Sequence, residues 1–173
     1  PTGTGFYSCK FSIPEKTATE AKDHGDMDWI EMRYAEVLLN LAECAAEVGN
    51  KSDEVYTILK DIRKRAGITA NADGLYGLKA NMSQQELIDA VLYERRIELA
   101  FEEHRYWDIR RWRLAEQVYA QPIQGMYITK SQTSTTYVPQ AVLNVQWDNK
   151  RYFYPIPYSE VIKNKNMVQN PNW

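Results

Sequence analysis

The chain has 173 residues, 44% of them hydrophobic, enough for one sizeable core. Its formal net charge of −2 supplies no bulk positive field to gather phosphate backbones, which argues against a nucleic-acid partner. Cys9 and Cys44 form neither a metal-ligand spacing nor a disulfide framework, and Cys44 reads as a small buried hydrophobe on a helical stripe.

The chain starts at Pro1, with no initiator Met, no basic-then-apolar leader and no apolar run long enough to cross a bilayer, so any targeting segment is expected to have been removed. Residues 1–28 carry Gly, Thr, Pro and mixed charge without helical period, and Phe6 to Phe11 is at most a short strand. From Ile30, apolar residues recur at three- and four-residue spacing through Tyr34, Val37, Leu38, Leu41, Ala45 and Val48, and Gly49-Asn50 supplies a left-handed stop. A second helix is predicted with Ser52 as N-cap, Asp53 and Glu54 in its first turn, an apolar face of Val55, Ile58, Leu59, Ile62 and Ala66, and an end at Gly67. So short a connection makes the pair an antiparallel hairpin.

Residues 68–82 read as a surface loop. Ser83-Gln84-Gln85-Glu86 matches a capping box and opens a third helix predicted to run to about Glu103, followed almost at once by a fourth from about Tyr106 to Val118. Beyond Ala120 the composition turns to Pro, Gly, Thr, Ser, Tyr and Val, with short strands expected at Met126–Thr129 and Tyr137–Val138. Pro155 and Pro157 force extended backbone across Tyr152 to Tyr158, a belt expected to pack on the helices, before a short helix from Ser159 to about Lys163. The expected fold class is mainly α: antiparallel helical hairpins at about 30–67 and 83–118, then a loop-rich segment 119–173 with short strands, all in a single unit.

The segment Glu94 to Trp112 is the most informative. Glu94 and Glu98 fall in line with Leu87 and Val91, so carboxylates occupy part of a stripe that should face a core and must be partnered there. Six arginines from Arg95 to Arg113 face five acids from Glu94 to Asp108, which points to a structural ion-pair network of Glu94, Arg95, Glu98, Arg105, Asp108, Arg110 and Arg111. Two carboxylates one turn apart on one helix, held ionised by arginines, do not flank a substrate as a glycosidase pair must. His104 has no second histidine nearby and no His-Glu-x-x-His pattern, so neither metal nor cofactor is expected.

Three ordered stretches carry a resemblance. They are Arg33-Tyr34-Ala35-Glu36-Val37-Leu38-Leu39-Asn40-Leu41-Ala42-Glu43 with Ile62-Arg63-Lys64-Arg65-Ala66-Gly67, then Glu94 to Trp112, then Tyr154-Pro155-Ile156-Pro157-Tyr158-Ser159-Glu160 ending in Asn166 to Trp173. Together they resemble the C-terminal part of the SusD/RagB family of glycan-binding outer-membrane lipoproteins. The resemblance implies a stack of TPR-like hairpins, no covalent chemistry, and capture of glycan, or peptide in some members, at the outer face of the outer membrane. It also implies partnership with a SusC-like TonB-dependent transporter, and membrane attachment only through an N-terminal lipid anchor that this chain does not contain. The family's ligand-contacting aromatics lie mainly upstream of the Arg33 motif. In this chain Trp29, Tyr76, Tyr127 and Trp147 lie in or beside predicted loops, where an exposed ring can stack on a sugar, and they are the candidate ligand residues. The alternative class is a helical-repeat scaffold that binds a protein partner.

Overall fold

A computed structural model describes residues 4–6, 8–11 and 29–173. The described residues are mainly helical, with one small sheet, and form two compact units, one within Asp26–Arg105 and one within Pro1–Gly25 plus Tyr106–Trp173.

In the first unit, α1 (Tyr34–Val48) follows Arg33, whose extended backbone cannot join the helix, so α1 starts four residues after Ile30. It stops at Gly49, where φ is +79°. Its buried residues are Leu39, Ala42, Ala45 and Ala46, and the three alanines suit close contact with both other long helices of the unit. The expected stripe is therefore rotated: Tyr34 (73% exposed), Val37, Leu41 and Val48 (66% exposed) face outward, and Cys44 is exposed rather than buried. At 100° per residue these five positions lie within an arc of about 80° beside the buried arc, so the apolar surface of α1 is wider than one neighbour covers.

Helix α2 (Ser52–Arg65) buries Val55, Ile58, Leu59 and Ile62. Ser52 is its first helical residue rather than its cap, because the Lys51 carbonyl already accepts from the Glu54 and Val55 amides. The expected Ala66 is exposed, and a Schellman closure follows: Gly67 N–H donates to Lys64 O and Ile68 N–H to Arg63 O. The 68–82 loop is tied down by buried Leu78 and by the Tyr56 hydroxyl, which donates to Lys79 O (2.7 Å) and accepts from Met82 N (2.9 Å).

Helix α3 (Gln84–Glu98) begins with the expected capping box and ends five residues before Glu103. Phe101 and Glu103 adopt φ of +64° and +65°, which no α-helix accommodates. The Arg33 guanidinium explains the stop. It donates to the Glu98 carbonyl oxygen (2.6 Å), the Glu98 carboxylate (2.5 Å) and both oxygens of Glu102 (2.7 and 2.8 Å). These bonds, that to Glu102 first, raise the Arg33 pKa further. Arg65 also pairs with Glu98, Arg63 holds Glu94 at 2.7 Å, and Arg95 donates to Asn40 at 2.7 Å. Arg33, Arg63 and Arg65, which lie outside the segment that carries the two acids, are thus among the partners of Glu94 and Glu98. Leu39, Leu59, Leu99, Val55 and Val91 are fully buried.

Helix α4 (His104–Arg111) and helix α5 (Ala115–Tyr119) replace the single fourth helix expected. Arg113 at φ +57° breaks the run, with Trp112 N–H donating to Asp108 O and Leu114 N–H to Ile109 O. Strands β1 (Ile123–Lys130) and β2 (Thr135–Leu143) form an antiparallel hairpin longer than predicted, in register Lys130 with Thr135 and Tyr127 with Val138. Gly125 is required where Thr4 passes, since a Cβ there would lie 2.9 Å from Thr4 O. Next to it Met126 N–H donates to Thr4 O at 2.7 Å, away from β2, so Pro139 opposite Met126 occupies a site where the ladder needs no donor.

A 3₁₀ turn (Asn149–Tyr152) and a short α6 (Tyr158–Lys163) complete the unit. The belt is fastened by polar bonds more than by buried rings: Gln169 accepts from Ile156 N and donates to Ile156 O, Asn170 donates to Tyr154 O, and Trp173 Nε1 reaches Lys150 O and Phe153 O. Phe153, Tyr154 and Tyr158 stay exposed, unlike the expected burial. Tyr154 and Tyr106 share a hydroxyl hydrogen bond, which raises the Tyr154 pKa.

Three outcomes follow from this architecture. Replacing Glu98 by Gln leaves Arg33 and Arg65 undercompensated and lowers unfolding free energy by about 2–3 kcal/mol, below the largest buried-pair losses because Arg33 keeps Glu102; denaturant titration measures it. Gln169→Ala removes both bonds to Ile156 and costs about 1–2 kcal/mol locally, read as faster exchange of the Ile156 amide. The Lys79 hydrogen bond, with those from Ser83, holds the Glu86 carboxyl down to about 2 from 4.5. Its stabilisation of the α3 start is complete above pH 4.5 and disappears as pH falls through about 2, so first-turn amide protection in α3 should fade across that window and not above it.

Candidate functional site

Of the four candidate aromatics, Trp29 and Tyr76 lie in the first unit, and Tyr127 and Trp147 in the second. Trp29 precedes α1 and is 56% exposed. Tyr76 is half-buried in the 68–82 loop at φ +53°, its carbonyl accepting from Arg63 Nη1 at 3.0 Å. Tyr127 projects from β1, 62% exposed. Trp147 differs, because it borders a concave surface built with other rings.

Trp147 lies in the non-helical run after β2, and the 3₁₀ turn that follows returns Tyr152 to its edge. Its ring stacks on Tyr119 at the end of α5 (centroids 5.5 Å apart, planes 30°) and meets Tyr152 edge-on at 5.0 Å. The indole Nε1 donates to Asn149 Oδ1 at 3.0 Å, and Asn149 Nδ2 donates to Glu116 at 3.3 Å, so the ring is oriented through its polar end. The resulting cleft, about 450 Å³, presents Tyr119 and Trp147 beside the side chains of Glu116, Asn144, Gln146 and Asn149.

This combination is ring surface plus short amides that both donate and accept, the inventory that saccharide hydroxyls and C–H faces need. Glu116 is the single carboxylate among the lining residues, so this cleft holds no opposed acid pair of the kind glycoside hydrolysis uses. Glu94 and Glu98 are engaged by arginines, and His104 lies 3.5 Å from Glu36. Among the described residues no cluster of three or more His, Cys, Asp or Glu is arranged to hold a metal, and no helix is long and apolar enough to cross a membrane.

Of the expected network, the structure brings Asp108 and Arg111 together at 3.4 Å, whereas Arg110 lies over the Tyr106 ring at 3.5 Å and donates to its carbonyl. Tyr119, Asn149 and Glu116 are cleft residues that sequence reasoning did not single out. The signal available was local: Trp147-Asp148-Asn149-Lys150-Arg151-Tyr152 places rings and an amide together within the segment predicted to be loop-rich.

The SusD family model matches residues 2–173. A SusD-like protein of Formosa agariphila, P2, is 32% identical over 143 residues, covering 83% of this chain, and a second from the same organism, P38, is 32% identical over 58% of it. The chain spans 25% and 20% of the length of those two relatives. A crystal structure of a SusD-like protein from Bacteroides fragilis superposes with a TM-score of 0.66 at 26% identity, over 84% of this chain and 26% of that one. The helical fold, the ordered motifs and these likenesses agree, and the chain belongs to the SusD family.

Proposed function

We propose that the chain is the C-terminal part of a non-catalytic glycan-capture protein, lipid-anchored to the outer face of the outer membrane, that delivers glycan to a SusC-like TonB-dependent transporter. The observation that carries this reading is the Tyr119–Trp147 cleft with its amide rim and single carboxylate, found in a member of the SusD family. The cleft supplies part of the ligand contact, and upstream residues supply the remainder.

Isothermal titration of the intact protein against a glycan panel tests it. Micromolar-range heats with at least one oligosaccharide are expected, and Trp147→Ala should weaken that binding about three- to tenfold, the loss of one stacking ring. A labelled oligosaccharide should be recovered uncut after prolonged incubation. Binding to peptides and to no glycan would favour the peptide-capturing branch of the family instead, and a protein that binds neither would leave the scaffold reading.

A further inference from the structure

A second cleft, about 400 Å³, lies in the same unit between α4 and the belt, within the size range of small-ligand sites. Trp107, Tyr152, Phe153 and Tyr154 provide its rings, and Arg110, Arg111 and Arg113 its charge. Trp107 is 59% exposed, so a wide ring is available to solvent there.

The arginines are unequal. Arg111 has Asp108 at 3.4 Å. Arg110 and Arg113 form no ion pair among the described residues; their guanidiniums rest on rings instead, Arg110 on Tyr106 and Arg113 at 4.7 Å from the Tyr152 centroid and 5.5 Å from Phe153. Arg110 Nε is buried and has no hydrogen-bond partner. That atom is shielded from the cleft, and Arg110 Nη1 donates to Tyr106 O, whereas Arg113 is exposed. An anion in the cleft meets Arg113 first, because an exposed guanidinium presents a planar fork that matches carboxylate and sulfate oxygens.

Charge along the chain agrees. Residues 106–173 hold eight Lys and Arg against four Asp and Glu, although the whole chain carries −2. The positive excess is thus concentrated in the segment that builds both clefts, where it raises the local concentration of anions. The two clefts also share a boundary: Tyr152 touches Trp147 edge-on, and the Arg110 guanidinium is 5.1 Å from the Trp147 ring centroid.

We propose that the Trp107–Arg110–Arg113–Tyr154 cleft is a subsite for the acidic group of a saccharide, a carboxylate or a sulfate ester on a sugar ring, and selects acidic over neutral glycans. This rests on the glycan-capture reading given above and deepens it.

Titration of the intact protein with tetragalacturonate, a sulfated carrageenan tetrasaccharide, maltotetraose and cellotetraose tests the idea, the first two arms separating carboxylate from sulfate. At least one acidic probe should bind about tenfold tighter than either neutral one, as charge-assisted bonds to two arginines allow, with the gap narrowing as NaCl rises. In the Arg110→Gln/Arg113→Gln protein, acidic and neutral probes should bind alike. Arg113→Lys, which keeps the charge and guards against a folding artefact, should retain part of the preference, and thermal melts verify that each variant is folded. Equal affinities in the parent, or a preference that survives the double replacement, would overturn the subsite while leaving glycan capture at Trp147 standing. Failure to bind any saccharide would end both readings.

Discussion

The helical unit depends on one guanidinium. Arg33 sits immediately before α1, and its donors reach the last carbonyl of α3, the Glu98 carboxylate and both oxygens of Glu102. The same side chain therefore accompanies the start of one helix and the stop of another, 65 residues apart in sequence. A lysine could not replace it, since an ammonium lacks the planar fork that serves two carboxylates and a carbonyl at once. Glu98 and Glu102, with only a few per cent of their side chains exposed, are tolerable in this position because Arg33 is there.

The fold class was legible in the sequence because long helices leave strong periodic traces, and the cap at Ser83 and the stop at Gly49 came with chemistry that has few alternatives. The rest was hidden for identifiable reasons. The facing of α1 was misjudged because its apolar arc is wider than its buried face, and hydropathy favours Leu41 and Val48 over the alanines that close packing selects. The ends of α3 and α4 were missed because Phe101, Glu103 and Arg113 take a left-handed conformation that residue type does not announce. The need for partners at Glu94 and Glu98 followed from their position, but which arginines supply them is a tertiary fact: Arg33 and Arg63 lie 65 and 31 residues away from the acids they hold.

Trp147 was found by the weakest kind of sequence argument, a large ring beside a loop. What separates it from Trp29 and Tyr127 is company. Tyr119 arrives from the end of α5, Tyr152 from a 3₁₀ turn that sequence reasoning did not foresee, and Asn149 orients the indole through its nitrogen. The density of rings in this unit also explains how it keeps order with few fully buried side chains: guanidiniums spread over Tyr106, Trp112 and Tyr152 replace part of the missing apolar contact.

Arg113 links backbone strain to this surface. Its left-handed φ suits glycine, and a glycine there would relieve strain on the order of 1 kcal/mol and close α4 more comfortably. It would also remove the cation that lies over Tyr152 and Phe153. The position is thus one where the more stable chain and the more capable chain carry different residues, and selection for thermal robustness alone would be expected to erase the charge first at this turn.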